Sequence, residues 1–249
     1  MKVSIITATY NSSETIADTL QSLNTQSYQD IEYIIIDGAS KDNTLDVIKQ
    51  KCARVATVIS EPDKGIYDAL NKGVQAATGD IVGFLHSDDL FSYPDAVKDI
   101  VSTFVDSGCD AAYADLEYVS KDDTNKVIRL WRSGQYSIEK LKSGWMPPHP
   151  TFYMKRELYN KFGLFDLSFQ ISADYDSLLR YLWINKIKMC YLPKVIIKMR
   201  VGGASNRSLK NIIQKTKEDI EALKNNRIFW PRALLIKNIS KIPQFLIKK

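Results

Sequence analysis

Two adjacent aspartates, Asp88 and Asp89, are the side chains of this sequence that packing explains least well. They follow the apolar run 81–85, which is typical of a buried strand. Each carboxylate makes ionisation of the other more costly, and neither can enter an apolar core without a partner. A divalent cation is a suitable partner, because hard cations prefer carboxylate oxygens. The alternative is a turn in which one aspartate caps a helix that begins near Pro94.

The segments that must position this pair alternate between strand and helix patterns. Strands are predicted at 3–7, 31–36, 55–59 and 81–85, and helices are predicted after Ser12 or Ser13, from Asp42 and from Ile66. Such a series predicts an α/β fold with a mostly parallel central sheet, right-handed crossovers and flanking helices.

The second half of the chain, from about Tyr113, is less regular and predicts a smaller mixed region. Strands are predicted at 113–116, 118–119, 127–131, 152–154, 189–192 and 195–199, and helices at 156–162 and 174–185. No linker rich in proline, glycine or serine separates the halves. We therefore expect one domain over residues 1–226, divided into halves 1–112 and 113–226, and a tail over residues 227–249.

Polar segments follow three of the predicted strands, at 7–11, 37–40 and 86–89. Ligands of open parallel sheets bind beyond the carboxyl ends of the strands, so these segments are expected to share one rim. The turn after the first strand contains no glycine, which argues against a dinucleotide-binding loop, and a Walker-type phosphate loop is missing too. A bound diphosphate would then need another counter-charge, which a metal on the aspartate pair could supply.

The composition is that of an ordinary folded protein: 249 residues, 45% hydrophobic and 25% charged. Three distant cysteines, Cys52, Cys109 and Cys190, lack metal-ligand spacing and are expected to be buried free thiols in a reducing compartment. The first apolar stretch is too short for a signal peptide, and no run approaches the roughly 18 apolar residues of a membrane span. We expect a cytoplasmic protein.

The formal charge of +5 is concentrated in the tail. Seven basic residues and no acid lie between Ala222 and Lys249, which leaves 27 basic against 29 acidic residues before them. The segment 228–242 mixes cations with aromatic and aliphatic residues, as in helices that lie peripherally on an anionic membrane face. The alternative is a C-terminal helix packed on the body. Nucleic acid is a poorer fit, because no basic face is evident elsewhere.

Four segments of the first half, taken in order, resemble the pattern of glycosyltransferase family 2, whose members have a Rossmann-like GT-A fold. These segments are 4–11, 32–44, 60–73 and the pair 79–80 ahead of the two aspartates. The resemblance covers roughly residues 3–205. It implies transfer of a sugar from a nucleotide-sugar donor with inversion at the anomeric carbon. The first half would then hold the nucleotide-sugar and the second half the acceptor.

The resemblance also implies roles for individual residues. Those on the donor side are Thr7, Ala8 and Thr9 around the base, Asp37 as an acceptor for the base (usually uracil), and Asp63 and Lys64 near the base or ribose. Asp88 and Asp89 match the motif that holds Mg²⁺ or Mn²⁺ on the diphosphate, with Asp88 also available to the ribose. His86 stands where many relatives have aspartate, which leaves Asp89 as the first candidate ligand.

The segment 171–180 resembles the part of the family that carries the catalytic base, and the aspartate of that motif falls on Asp174. A sugar hydroxyl is a poor nucleophile, so a carboxylate must take its proton during attack. The metal would neutralise the leaving diphosphate. The alternative for Asp174 is a helix N-cap. The Gln-x-x-Arg-Trp motif of processive synthases is missing, which favours the addition of a single sugar.

Three further residues are candidates for the acceptor or diphosphate side. His149 lies between prolines in an extended loop, Trp145 could stack on a sugar, and Arg200 precedes a glycine loop that could close over the donor. Each has a plain structural alternative. Two other functions also remain open: a nucleotidyltransferase, although its glycine-rich basic loop is missing, and a non-catalytic nucleotide or sugar-binding module. The expected acceptor is a glycan or a lipid-linked oligosaccharide in surface polysaccharide synthesis.

Overall fold

The computed structural model describes residues 1–54, 56–202 and 209–239. The strands are β1 (Val3–Thr9), β2 (Ile31–Asp37), β3 (Ala56–Ser60), β4 (Ile81–Phe84), β5 (Leu90–Phe91), β6 (Ala111–Val119), β7 (Val127–Trp131), β8 (Tyr153–Lys155) and β9 (Met189–Arg200). The α-helices are α1 (Ile16–Asn24), α2 (Thr44–Lys51), α3 (Ile66–Ala76), α4 (Ala96–Ser107), α5 (Ile138–Lys142), α6 (Arg156–Phe162), α7 (Ala173–Leu179), α8 (Leu209–Asn225) and α9 (Trp230–Ile239). Val55 of the predicted third strand and residues 240–249 of the tail lie outside the described residues.

The strands form one sheet in the order β3-β2-β1-β4-β8-β6-β9-β5, with β7 paired to β6. Strands β1 to β4, β6 and β9 run in one direction, and β5, β7 and β8 run in the other. The predicted α/β fold with a mostly parallel sheet is therefore confirmed. The antiparallel pairings belong to the second half and to the short strand β5.

Apolar layers cover both faces of this sheet. Consecutive residues of a strand point to opposite faces, and accordingly Ile5 and Ile6 of β1 belong to different buried clusters, as do Ile34 and Ile35 of β2. Burial on both faces explains the nearly continuous apolar run of β2 from Tyr33 to Ile36. The strands whose carboxyl ends carry the polar rim are thus fixed from two sides.

Strand β4, which leads to the two aspartates, lies between a parallel and an antiparallel neighbour. It pairs with β1 on one side and with β8 on the other. Gly83 is required in β4, because a Cβ atom there would lie 1.9 Å from Cε1 of the buried Tyr153 on β8. The tyrosine ring packs directly on the glycine backbone and holds the two strands in place.

Several predicted element boundaries were wrong. Helix α1 begins at Ile16 with Thr15 at its N-cap, so neither Ser12 nor Ser13 is the cap. The predicted strands 189–192 and 195–199 form the single strand β9, because a register shift opposite Ala114 and Asp115 accommodates Pro193. Strand β6 likewise joins the two short strands predicted at 113–119.

The helix predicted over 174–185 is divided in two. Helix α7 ends at Leu179 and continues as a turn of π-helix over Arg180–Ile184. Helices α5 and α8 were not predicted, and α4 was expected only under the alternative in which one aspartate of the pair caps a helix that begins near Pro94. In the described part of the chain, no helix is long and apolar enough to cross a membrane.

Candidate functional site

A cleft of about 860 Å³ lies beyond the carboxyl ends of β1 and β4. Its walls come from the segments that follow these two strands, from the first turns of α3 and α7, and from the end of β9. The predicted site residues that line it are Ala8, Asp88, Asp89, His149, Asp174 and Arg200. The fold thus brings residues from both halves of the chain to the edge where open α/β sheets bind ligands.

The turn after β4 places its two aspartates in different environments. Asp88 is half-buried in the cleft, whereas Asp89 is 1% exposed. The Asp89 backbone N–H donates to the His86 carbonyl at 3.0 Å, and Thr19 Oγ1 donates to the Asp89 carbonyl at 2.8 Å. Helix α4 has Asp95 at its N-cap, so neither aspartate of the pair caps it and that alternative was wrong.

The side chain of Asp89 is buried, and the nearby charge of Arg200 offsets the cost of this burial only in part. Neither of its carboxylate oxygens has a hydrogen-bond partner among the described residues. Burial, reinforced by the charge of Asp88, raises the pKa of Asp89 well above its usual range. An unpartnered buried carboxylate is costly, and a cation would remove that cost.

The donor chemistry of this turn fits a divalent cation whose coordination is completed by other molecules. Asp88 and Asp89 supply carboxylate oxygens, which Mg²⁺ and Mn²⁺ prefer. Over the described ranges, no group of three or more His, Cys, Asp or Glu side chains is arranged to hold a metal ion. The remaining ligands would be water and phosphate oxygens, as is common where Mg²⁺ accompanies a nucleotide.

Arg200, at the end of β9, is bound to the protein and is not free in the cleft. Its side chain is 6% exposed, and its Nη1 donates to the Asp88 carbonyl at 2.9 Å. It also donates to the Lys121 carbonyl at 3.3 Å and forms an ion pair with Asp18 of α1. These bonds connect the end of β9 to the aspartate turn.

Asp174 lies in the first turn of α7, and Ser172 is the N-cap residue, so the N-cap alternative for Asp174 was wrong. Its Oδ1 atom accepts a hydrogen bond from the Tyr175 backbone N–H at 2.8 Å. The Tyr67 hydroxyl lies 3.2 Å from the same atom and 2.6 Å from the Ile171 carbonyl. Burial raises the pKa of the Asp174 carboxyl, although its bond to Tyr175 and the charges of Lys215 and Lys237 oppose this shift.

His149 is buried in a 3₁₀ turn against the same cleft. Its ring stacks on Phe84 at 5.2 Å between centroids and lies 6.0 Å from the His86 ring. Neither ring nitrogen of His149 has a hydrogen-bond partner among the described residues. Burial, together with His86, lowers the pKa of His149 to about 3, which keeps the ring neutral. Trp145, by contrast, does not line the cleft.

Trp145 packs among other side chains. Its ring centroid lies 5.7 Å from that of Tyr113 and 6.2 Å from that of Tyr136. Lys140 Nζ is 5.6 Å from the ring centroid. These contacts are those of a residue that packs inside the protein, which was the alternative to sugar stacking for Trp145.

Three of the predicted donor-side residues are buried behind the cleft wall. Thr7 is buried, donates to the Leu85 carbonyl at 2.6 Å and accepts from the Tyr33 hydroxyl at 2.9 Å. Thr9 is 4% exposed, and its hydroxyl has no partner among the described residues. The carboxylate of Asp37 is buried and accepts hydrogen bonds from Ser40 and Ser60.

The loop at the end of β2 and the loop before α3 meet beside this wall. Asp63 accepts a hydrogen bond from the Gly65 N–H at 2.8 Å, and a Cβ atom on Gly38 would lie 2.5 Å from Asp63 Oδ2. Lys64 is exposed, and its backbone N–H donates to Asp68 at 3.0 Å. Of the six donor-side residues predicted ahead of β4, only Ala8 lines the cleft itself.

Two tyrosines of the cleft were missed in the sequence. Tyr67 falls on the same helical stripe as the buried Leu70 and Val74, so its spacing indicates only core. Tyr10 follows β1 and is 57% exposed at the cleft wall. Its position in the sequence could have indicated this role, because an aromatic residue directly after such a strand lies at the edge where ligands bind.

Comparison with known proteins decides the family. The sequence profile described as glycosyl transferase family 2 matches residues 4–170. The chain belongs to this family. An uncharacterised glycosyltransferase of Mycobacterium tuberculosis is 34% identical over 180 residues, which cover 72% of this chain and 68% of that protein. A PGL/p-HBAD biosynthesis glycosyltransferase of Mycobacterium bovis is 26% identical over 207 residues, covering 82% and 78% of the two chains.

Solved structures agree on the fold of this family 2 glycosyltransferase. S. aureus TarS 1–349 in complex with UDP-GlcNAc matches 99% of this chain and 72% of its own, with a TM-score of 0.69 and 18% identity. The mannosyltransferase PcManGT from Pyrobaculum calidifontis, in complex with GDP-Man and Mn²⁺, matches 100% and 76%, with a TM-score of 0.66 and 18% identity. Both comparisons support the GT-A fold.

Proposed function

We propose that this glycosyltransferase transfers a single sugar from a UDP-sugar to a hydroxyl of a glycan or lipid-linked glycan, with inversion at the anomeric carbon. The observation that carries the proposal is that Asp174 lines the same cleft as Asp88 and Asp89. A base for the acceptor and a pair of carboxylates for the diphosphate thus face one volume. Binding both substrates there would supply much of the rate acceleration.

The proposed base has one oxygen committed and one available. Oδ1 of Asp174 is held by the Tyr175 N–H and lies next to the Tyr67 hydroxyl, which leaves Oδ2 for the acceptor proton. A raised pKa makes Asp174 a better proton acceptor than an ordinary aspartate, provided that it is ionised at the working pH. Attack from the face opposite the leaving diphosphate would invert the anomeric carbon.

Asp88 and Asp89 are proposed to hold Mg²⁺ or Mn²⁺. When bound, the cation would neutralise charge on the leaving nucleoside diphosphate as a Lewis acid. The unpartnered oxygens of Asp89 support this role, as does the Mn²⁺ in the complex of the Pyrobaculum mannosyltransferase. Arg200 would contribute by holding the Asp88 carbonyl, and His149 would face the diphosphate or the acceptor as a neutral ring.

The donor base is proposed to bind near the carboxyl ends of β1 and β2. Ala8 is at the cleft wall, Tyr10 adds an exposed aromatic ring, and Asp37 and Asp63 lie in adjoining loops. Thr7, Thr9 and Lys64 complete the proposed donor side from behind that wall or from its edge. The UDP-sugar assignment is supported by the UDP-GlcNAc in the TarS complex.

The acceptor is proposed to be at or near a membrane. Phe229 and Leu235 are 73% and 63% exposed in the tail, and basic residues surround them in sequence. Apolar side chains beside cations are typical of segments that lie at an anionic lipid surface. This location would suit a cytoplasmic enzyme of surface polysaccharide synthesis whose acceptor is anchored to lipid.

The proposal is tested by screening UDP- and GDP-sugars for binding with and without Mn²⁺, followed by transfer assays on the donor that binds. We expect binding of one UDP-sugar that requires the cation, and an inverted product with suitable acceptors. Binding without any transfer would instead favour the non-catalytic module, and release of pyrophosphate from a nucleoside triphosphate would favour the nucleotidyltransferase.

A further inference from the structure

The segment that leads into α7 is bound by a single buried carboxylate. Glu218 of α8 is 4% exposed and accepts hydrogen bonds from three consecutive backbone N–H groups. The donor–acceptor distances are 3.1 Å from Gln170, 2.8 Å from Ile171 and 2.9 Å from Ser172. Burial alone would raise the pKa of Glu218, but these bonds and one from Gln214 hold it below its ordinary value. Glu218 therefore stays ionised and fixes the backbone just before the proposed base.

The neighbouring residue of α8 extends this contact to α9. Asp219 is 5% exposed and accepts a hydrogen bond from Ser172 Oγ at 2.9 Å. Its other oxygen forms an ion pair with Lys237 Nζ at 2.8 Å. Lys237 is itself buried and lies 3.5 Å from the centroid of the Tyr175 ring, the residue after Asp174.

Helix α9 is seated by close packing as well as by this ion pair. The Ala233 side chain is fully buried, and a Cβ atom on Gly144 would lie 2.4 Å from the Ala233 carbonyl oxygen. One further bond joins the end of α8 to α7, from Asn226 Nδ2 to Asp176 Oδ1 at 2.9 Å. Buried charged groups arranged in this way are costly unless each is paired, and here each has a partner.

We propose that α8 and α9 position the catalytic carboxylate: Glu218, Asp219 and Lys237 are positioning residues that fix Asp174 relative to the aspartate turn. This inference rests on the proposed role of Asp174. The three residues are not among those that line the cleft. They act through the backbone at 170–172 and through Ser172, so that their loss displaces Asp174 and leaves the donor side unchanged.

The experiment compares Glu218→Gln and Asp219→Asn with the control Glu221→Gln, which removes the same charge from an exposed position on the same helix. Hydrogen exchange of the amides at 170–172, kcat, and the donor KM are measured well below the unfolding temperature of each variant. We expect exchange to accelerate about tenfold or more in both test variants. We expect kcat to fall about tenfold or more with donor KM within about twofold, because small displacements of a reacting group are costly.

Three outcomes would overturn the inference. The first is unchanged amide exchange at 170–172 in both test variants. The second is faster exchange with kcat within about twofold of the parent. The third is a loss of kcat no greater than that of Glu221→Gln. If the parent transfers no sugar at all, the proposed function fails, and the exchange data still report whether α8 holds the segment.

Discussion

The Tyr67 hydroxyl lies 3.2 Å from Asp174 Oδ1, across the cleft between α3 and α7. The same hydroxyl lies 2.6 Å from the Ile171 carbonyl, so its single proton is shared between two acceptors on the segment that carries the proposed base. The first half of the chain thereby contacts the second half at the carboxylate of the proposed base. The contact also leaves Oδ2 as the oxygen free to take a proton.

Asp174→Asn should abolish transfer and leave donor binding intact. The amide cannot accept the acceptor proton, and a lost general base costs about 10²- to 10⁴-fold in kcat. Steady-state transfer assays and calorimetric titration with the UDP-sugar measure the two effects separately. Asp166→Asn, an exposed aspartate ahead of α7, is the matched control and should keep parental activity. Full activity of Asp174→Asn would reject the base assignment.

In the pH profile of kcat/KM, the apparent pKa of the acidic limb should be higher than the ordinary pKa of aspartate, which is about 3.9. Burial raises the pKa of Asp174, and only its ionised form can accept a proton. Activity should therefore be full at pH values well above that raised pKa and be lost as the pH falls through it. Rates measured across pH at saturating metal test this, and a limb at or below the ordinary value would contradict it.

Tyr67→Phe should lower kcat about fivefold and move the acidic limb further upward in pH. The substitution removes a hydrogen-bond donor beside the carboxylate, and such a donor favours the ionised form. The ring and its packing on Phe165 are kept. Tyr136→Phe, which changes a tyrosine outside the cleft, provides the control, and equal effects of the two variants would show a general loss of packing.

Removing divalent cations with a chelator should abolish sugar transfer. Asp88→Asn should raise the Mn²⁺ concentration needed for half-maximal activity about tenfold or more. Both aspartates line the cleft, and Asp88 is the half-buried one of the pair. Activity titrated with Mn²⁺ and Mg²⁺ after chelation measures the shift. Asp122→Asn alters an exposed aspartate beside the cleft residue Lys121 and should leave the titration unchanged. Full activity in the presence of chelator would exclude a metal requirement.

Phe229→Ser combined with Leu235→Ser should weaken binding to vesicles containing anionic lipid about tenfold, because two exposed apolar side chains are lost. The double variant leaves Lys237 and its partners in place, which a deletion of the tail would not. Co-sedimentation with vesicles measures the effect. Val105→Ser, which alters a residue 65% exposed on α4, is the control. Equal sedimentation of parent and double variant would reject membrane binding through this surface.

The sequence predicted the structure best where the local residue pattern and the position in the sheet indicate the same environment. The mostly apolar β2 and the polar segments after β1 and β4 could be predicted. Burial on both faces of the sheet and ligand binding beyond the strand ends are both reflected in residues that are neighbours in sequence. The partners of Arg200 could not be predicted, since Asp88 and Asp18 are 112 and 182 residues away. For the tail that contains Lys237, a membrane-facing segment and a helix packed on the body were both open, and only the packing of α9 shows that Lys237 pairs with the buried Asp219.

Strand β5 pairs with β9, through Leu90 with Lys198 and Phe91 with Ile197, whereas β4 pairs with the early strand β1. The strand before the aspartate turn, β4, therefore pairs with a strand from the start of the chain. The strand after it, β5, pairs with β9, which is about 100 residues further along the sequence. Contacts between distant segments form slowly during folding. During refolding, nucleotide binding should therefore recover later than most of the helical circular dichroism signal. The recovery of binding would report when β5 and β9 pair.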